Sequence, residues 1–118
     1  AQTKQTGNHG EQLAQQHLRA KGYEIIATNW HCKAGEIDIV AQQGDTVVFV
    51  EVRTRRGDST DPAFASITPA KKQKMLRAAY AYSAGSPSDA YYRIDVIAVA
   101  LPYSAAPIIR HMESALDW

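Results

Sequence analysis

Apolar and polar positions change period several times along the chain, and each change marks an element. From Gly10 to Lys21 the positions Leu13, Ala14, His17 and Leu18 recur at helical spacing, and Gly22 is placed to end the helix. Asn8 is a good N-cap, and Glu11 three residues later completes a capping-box pattern. Tyr23 to Trp30 is apolar and predicts a first strand. The runs Gly35-Glu36-Ile37-Asp38-Ile39-Val40 and Val47-Val48-Phe49-Val50-Glu51-Val52-Arg53 are rich in β-branched residues and alternate, so they predict a hairpin. Alternation sets Glu36, Asp38 and Val40 on one face of the first of these strands and Ile37 and Ile39 on the other. The second strand divides into Val47, Phe49, Glu51 and Arg53 against Val48, Val50 and Val52. The two apolar faces coincide only if the loop has an even number of residues, and a two-residue turn at Gln43-Gly44 satisfies this. Glu36, Asp38, Glu51 and Arg53 then converge on one face.

After Arg53 neither period holds from Thr54 to Thr68, a loop long enough to suggest function or mobility. Thr68 followed by Pro69 is a clean helix start, a cap with proline at the first helical position. Met75, Leu76, Ala79, Tyr80 and Tyr82 form the apolar side of that helix. Lys74 and Arg77 lie opposite, Lys71 lies at the edge, and Gly85 and Pro87 stop it. Tyr91 to Ala100 returns to a strand pattern, in which a structural ion pair accounts for Arg93 and Asp95. Pro107 to Met112 adds a short last strand. This order of elements predicts an α/β fold with a mixed central sheet of about four or five strands flanked by two helices. Residues 1–8 read as a flexible terminus and 9–118 as one domain, which a length of 118 residues suits.

Composition narrows the class. Hydrophobic content of 45% and charged content of 21% are ordinary for a globular protein. The single cysteine, Cys32, excludes an intrachain disulfide and suits a reducing, cytoplasmic setting. No apolar run reaches the roughly 18 residues of a membrane span. The net charge of +1 is unevenly distributed: from Pro62 to Ser88 there is no acid, whereas Lys71, Lys72, Lys74 and Arg77 all fall there. Arg53, Arg55 and Arg56 lie just upstream. A local basic surface fit for nucleic acid is expected on a nearly neutral protein.

Three carboxylates on one strand-pair face repel one another and call for a cation. Magnesium takes one or two protein carboxylates and completes its shell with water and substrate phosphate. Asp38 and Glu51, with the Val52 carbonyl, could supply that incomplete shell, and Arg53 would hold the attacking water or the phosphate. Glu11 reads either as the helix cap or as a further carboxylate leaning toward the hairpin. Cys32 beside His31 makes a poor zinc site, because no second pair of ligands stands at zinc spacing. His9, His17 and His111 are equally isolated, and His17 reads as a packed core histidine.

Asp38 followed by Glu51-Val52-Arg53 resembles the Asp…(Asp/Glu)-x-Lys core of the PD-(D/E)xK nuclease superfamily. Gly10-Glu11, Asn29-Trp30, Gly35-Glu36-Ile37-Asp38, Phe49-Val50-Glu51-Val52-Arg53 and Arg93-Ile94-Asp95-Val96, taken in order, resemble the YraN-like family of small bacterial proteins. The likeness spans nearly the whole chain and implies a restriction-endonuclease-like fold similar to Holliday-junction resolvases. Carried over by position, the implied catalytic set is Glu11, Asp38, Glu51 and Arg53. Glu11, Asp38 and Glu51 would hold Mg2+ or Mn2+, with Glu36 accessory. Arg53, Arg55, Arg56, Lys71, Lys72, Lys74 and Arg77 would meet nucleic acid, DNA ahead of RNA. The implied activity is metal-dependent hydrolysis of branched or recombining DNA, with a homodimer as the working state. The alternative is a nucleic-acid-binding module with weak or lost cleavage. Two positions depart from the pattern. Ile37 replaces the proline before the aspartate, and Arg53 replaces the lysine. Arginine stays protonated and binds phosphate but cannot act as a base.

Overall fold

The computed structural model describes residues 3–86 and 89–116. The elements run α1 (Lys4–Ala20), β1 (Glu24–Cys32), β2 (Gly35–Gln43), β3 (Thr46–Arg56), α2 (Asp61–Ala65), α3 (Pro69–Ser83), β4 (Tyr91–Leu101) and β5 (Ile108–Leu116). The mixed α/β fold is as expected: one five-stranded sheet in the order β1-β2-β3-β4-β5. β1, β2 and β3 form an antiparallel meander, β4 joins β3 in parallel, and β5 returns antiparallel to β4. A parallel pair needs a long crossover, and the segment holding α2 and α3 supplies it. No helix among the described residues is long and apolar enough to cross a membrane.

The helices sandwich the sheet. On one face Ala14 and Leu18 of α1 pack on Ile39, Val48, Val50, Ile97 and Val99. On the other, Met75, Ala78 and Ala79 of α3 pack on Val40, Phe49, Ile94 and Val96. Thr68 caps α3 as the sequence predicts, its side chain accepting the Lys71 N–H at 3.1 Å. Pro87, expected to help stop α3, lies outside the described residues.

Four boundaries differ from expectation. The helix predicted from Gly10 starts at Lys4, capped by Thr3, which accepts the Thr6 N–H at 3.0 Å. Asn8 and Glu11 are therefore interior to α1 and form no capping box, and residues 4–7 are helix rather than a frayed terminus. The extra turns were invisible to hydrophobic periodicity because the buried stripe is completed by Thr6 and Gly10, neither of which is apolar. The β2–β3 hairpin turns at Gly44-Asp45, with Gln43 paired to Thr46 and Gly44 at φ +61°. The loop is still two residues, so from Ile39 to the turn the faces fall as expected, but every pair shifts along the strands. The span expected to be loop after Arg53 begins as strand, since β3 runs on to Arg56, and it then holds α2. β5 runs to Leu116, past the polar Glu113 and Ser114, because the Ser114 N–H is taken by the Asp95 carboxylate at 3.0 Å.

Gly10 fixes how closely α1 approaches β3. A Cβ there would lie 1.8 Å from Thr54 Oγ1 and 2.8 Å from Thr54 Cβ, and Thr54 is itself buried. Gly10→Ala is expected to push α1 outward at a cost of about 1–3 kcal/mol, read as a lower urea midpoint. A midpoint equal to wild type would mean that α1 can slide off Thr54 without loss.

Candidate active site

Asp38 owes its position to a break in the alternation of β2. Ile37 packs in the cluster under α3 and Ile39 in the one under α1, which corrects the expectation that they share a face. The neighbouring strand bends at the same level: Asn29, between the Thr28–Ile39 and Trp30–Ile37 pairs, has φ +51°. Asparagine enters that left-handed region more easily than most residues. The β2–β3 ladder runs as far as Ile39–Val50, and beyond it the Val52 N–H donates to Asp38 Oδ2 at 2.8 Å. A carboxylate thus takes the place of a strand carbonyl where β2 and β3 part.

Glu51 stands on β3 beside this notch and is only 4% exposed. With Ile37, Phe49, Met75 and Ile94 it lines a small pocket against α3. Burial, with Asp38 beside it, pushes its carboxyl up to about 7 against the pull of Lys71 and Arg53. Asp38 is also raised, chiefly by burial, while the Val52 N–H and Lys71 hold it down and Glu36 adds repulsion. Glu11 reaches the same field from α1, one residue past the Gly10–Thr54 contact. Burial and repulsion from Asp38 and Glu36 push it up to about 7, and its Oε1 is buried without a hydrogen-bond partner. Glu36 stays on the rim, paired with His31 Nδ1 at 3.2 Å.

The cations are distributed differently from the sequence reading. Arg53 sends Nε to Ser66 Oγ at 2.8 Å and Nη2 to the Ser66 carbonyl at 3.5 Å, leaving Nη1 at 3.4 Å from Glu51 Oε2. Lys71, read as an edge residue of the basic helix, places Nζ 3.4 Å from the same Glu51 oxygen. Lys72 turns to another flank of α3, where it borders a groove with Phe64, Ile67 and Met112. The Lys74 backbone packs against Gly35, and Arg77 is exposed. Arg55 donates to the Thr54 carbonyl at 2.7 Å, and the Arg56 guanidinium lies 5.5 Å from the centre of the Tyr103 ring. The seven basic residues therefore do not gather on one stripe, and Arg53 and Lys71 are the pair that meets Glu51. Ser66, and the contact of Lys71 with Glu51, are what sequence reasoning missed. One signal pointed to Lys71: a lysine three residues after a helix cap sits where the helix dipole disfavours a cation.

Among the described residues no three His, Cys, Asp or Glu side chains stand close enough to enclose a metal ion. Asp38 and Glu51 stand directly beside each other, and Glu11 joins them through its charge. The donor set nonetheless suits magnesium or manganese, which ask for one or two carboxylates with water filling the remaining positions. Three acids raised by burial, with Asp38 adding repulsion at Glu11 and at Glu51 and one oxygen orphaned, form a set that a divalent cation would satisfy.

The model of the family described as "Uncharacterised protein family UPF0102" matches residues 10–99. The chain belongs to this family. The UPF0102 protein of Geotalea uraniireducens (strain Rf4) is 40% identical over 118 residues, covering 99% of this chain and 93% of that protein. That of Roseiflexus castenholzii is 43% identical over 114 residues, covering 94% and 92%. That of Chloroflexus aurantiacus (strain J-10-fl) is 48% identical over 95 residues, covering 79% and 77%. The UPF0102 match takes in Glu11, Asp38, Glu51, Arg53 and Lys71, so the whole acid notch and both its cations lie inside the family's span.

Proposed function

We propose that this UPF0102 protein is a divalent-metal-dependent phosphodiesterase of the PD-(D/E)xK type acting on DNA, branched or recombining forms included. The observation that carries this reading is the pairing of Asp38 and Glu51 in the notch between β2 and β3, both raised by burial, with Glu11 in the same field. Asp38 and Glu51 would hold Mg2+ or Mn2+, and Glu11 is the third acid of the set. When bound, such a cation neutralises charge at a phosphoryl group and makes water more acidic. Asp38 is fixed by the Val52 N–H, so its carboxylate is aimed before any ligand arrives. The arginines and lysines around the notch would draw in the phosphate backbone, with affinity falling as salt rises. A homodimer would offer two copies of the notch to two strands, and a reducing cytoplasm suits the free Cys32.

The test is cleavage of labelled single-stranded, duplex, flap and four-way-junction DNA with Mg2+ or Mn2+. Cleavage is expected to drop by at least about 100-fold in Glu51→Ala, the scale on which loss of transition-state charge stabilisation is felt. A second reading, a binding module without efficient cleavage, is favoured by one observation: Glu51 already carries both Lys71 and Arg53. Salt-sensitive DNA binding with no cleavage in either protein would select it.

A further inference from the structure

We propose that Lys71 on α3, rather than Arg53 on β3, is the cation that meets the scissile phosphodiester, and that Arg53 is a positioning residue for it; this rests on the phosphodiesterase reading. Arg53 has little freedom to serve a substrate. Its Nε and Nη2 are both spent on Ser66, whose own Oγ donates to the Ala63 carbonyl at 2.6 Å. These bonds tie the β3 strand to the short connection between α2 and α3. Two residues beyond Ser66 stands Thr68, the cap whose side chain holds the Lys71 N–H at 3.1 Å. The bracket from Arg53 through Ser66 to Thr68 therefore sets where α3 begins and where Lys71 projects.

Lys71 has the freedom that Arg53 lacks. Its side chain is 28% exposed, and the contact to Glu51 Oε2 at 3.4 Å engages at most part of an ammonium that has three N–H groups to give. It belongs to the first turn of α3, which carries no acid, so neither the helix dipole nor a neighbour in that turn accounts for a cation there. The carboxylates across the cleft do. From α3 its Nζ reaches Glu51 at 3.4 Å, and its charge pulls on both Asp38 and Glu51.

The chemistry asks for such a group. In hydrolysis a water oxygen bonds to phosphorus, the bond from phosphorus to one sugar oxygen breaks, and the proton of the water ends on that leaving oxygen. Negative charge gathers on the non-bridging oxygens along the way. Lys71 keeps its protons throughout and directs them at those oxygens. A compact ammonium on a flexible stem can follow that charge, whereas a planar guanidinium held at Ser66 cannot.

The experiment compares Lys71→Ala, Lys71→Arg and Arg53→Lys in single-turnover cleavage, beside DNA affinity by fluorescence anisotropy and Mn2+ affinity by electron paramagnetic resonance. In Lys71→Ala the rate is expected to fall by about 100-fold, and added methylammonium to restore part of it. Its Mn2+ affinity should stay within about threefold of wild type, as for a group that does not hold the metal ligands in place. Lys71→Arg does not restore the rate. Arg53→Lys lowers the rate, because it breaks the bracket. Three results overturn the assignment: a Lys71→Ala rate close to wild type, an Arg53→Lys rate above wild type, or loss of Mn2+ binding in Lys71→Ala. The first two leave the phosphodiesterase reading standing. Failure of the wild-type protein to cut any of the DNAs overturns that reading and the role of Lys71 together.

Discussion

Asp95→Ala is expected to cost about 3–5 kcal/mol, since removing one partner of a buried ion pair strands the other charge. Asp95 is fully buried on β4. Its Oδ1 accepts from Arg93 Nε at 2.9 Å and from the Ser114 N–H at 3.0 Å, and its Oδ2 from Arg93 Nη2 at 2.9 Å and His111 Nε2 at 2.7 Å. Arg93 extends the network to the Tyr23 hydroxyl and to Glu113. The residue thus joins β4 to both arms of β5 and to the chain leaving α1. Against a total stability of about 5–15 kcal/mol such a loss removes a large share of the margin. Guanidinium unfolding followed by circular dichroism checks it, and a midpoint near wild type would mean that water replaces the carboxylate. The same group sets an acid limb. Burial alone would raise Asp95, but the bonds from His111, Arg93 and Ser114 hold it below its ordinary 3.8. The folded state therefore binds this proton less readily than the unfolded chain. The contribution is complete above about pH 4, where an unfolded aspartate is ionised, and is lost as pH falls through the lower folded value.

Glu51→Gln is expected to act in the opposite direction. Glu51 and Glu11 titrate near 7 in the folded protein, above the ordinary carboxylate value of 4.5, so folding takes up protons at both. Their contribution is complete below the unfolded value and is lost as pH rises through about 7. With EDTA present, melting temperature should therefore fall between about pH 5.5 and pH 8. An amide at position 51 resembles the protonated acid, and it should restore about 1–3 kcal/mol at pH 8, or roughly 5–10 °C in a domain of this size. Little change is expected at about pH 5.5. The same substitution should abolish metal-dependent cleavage, so stability rises as activity is lost. Equal melting temperatures for the two proteins at pH 8 would mean that Lys71 and Arg53 already neutralise the acid pair.

How far the sequence could be read depended on whether a position announces itself by polarity. The apolar faces of Val48, Val50 and Val52 and the Thr68-Pro69 start were plain because hydrophobic period and cap chemistry are local signals. Arg93 and Asp95 read as an ion pair because opposite charges inside an apolar strand must neutralise each other to be buried there. The first turns of α1 stayed hidden because Thr6 and Gly10 are buried for their small size. The kink at Asp38 depends on the bend at Asn29 in another strand, which alternation within one run cannot show. Asp38, Glu51 and Glu11 were legible as a set of acids, whereas the contact of Lys71 with Glu51 arises only when α3 is laid across the sheet.

The parallel ladder between β3 and β4 runs the full length of both strands, from Thr46–Tyr91 to Arg56–Leu101. Every pair in it joins residues on either side of the α2–α3 crossover. During translation the meander of β1 to β3 can form as soon as it emerges, with Glu11, Asp38 and Glu51 already made. The valine-rich edge of β3 then lies open to another chain until β4 arrives. α3 packs chiefly on β2, so the acids stay open to water until α3 is made and docks there. A nascent chain that ends before α3 would consequently carry ordinary, solvated carboxylates at the notch, and whatever chemistry the site performs is acquired only once α3 has closed over them.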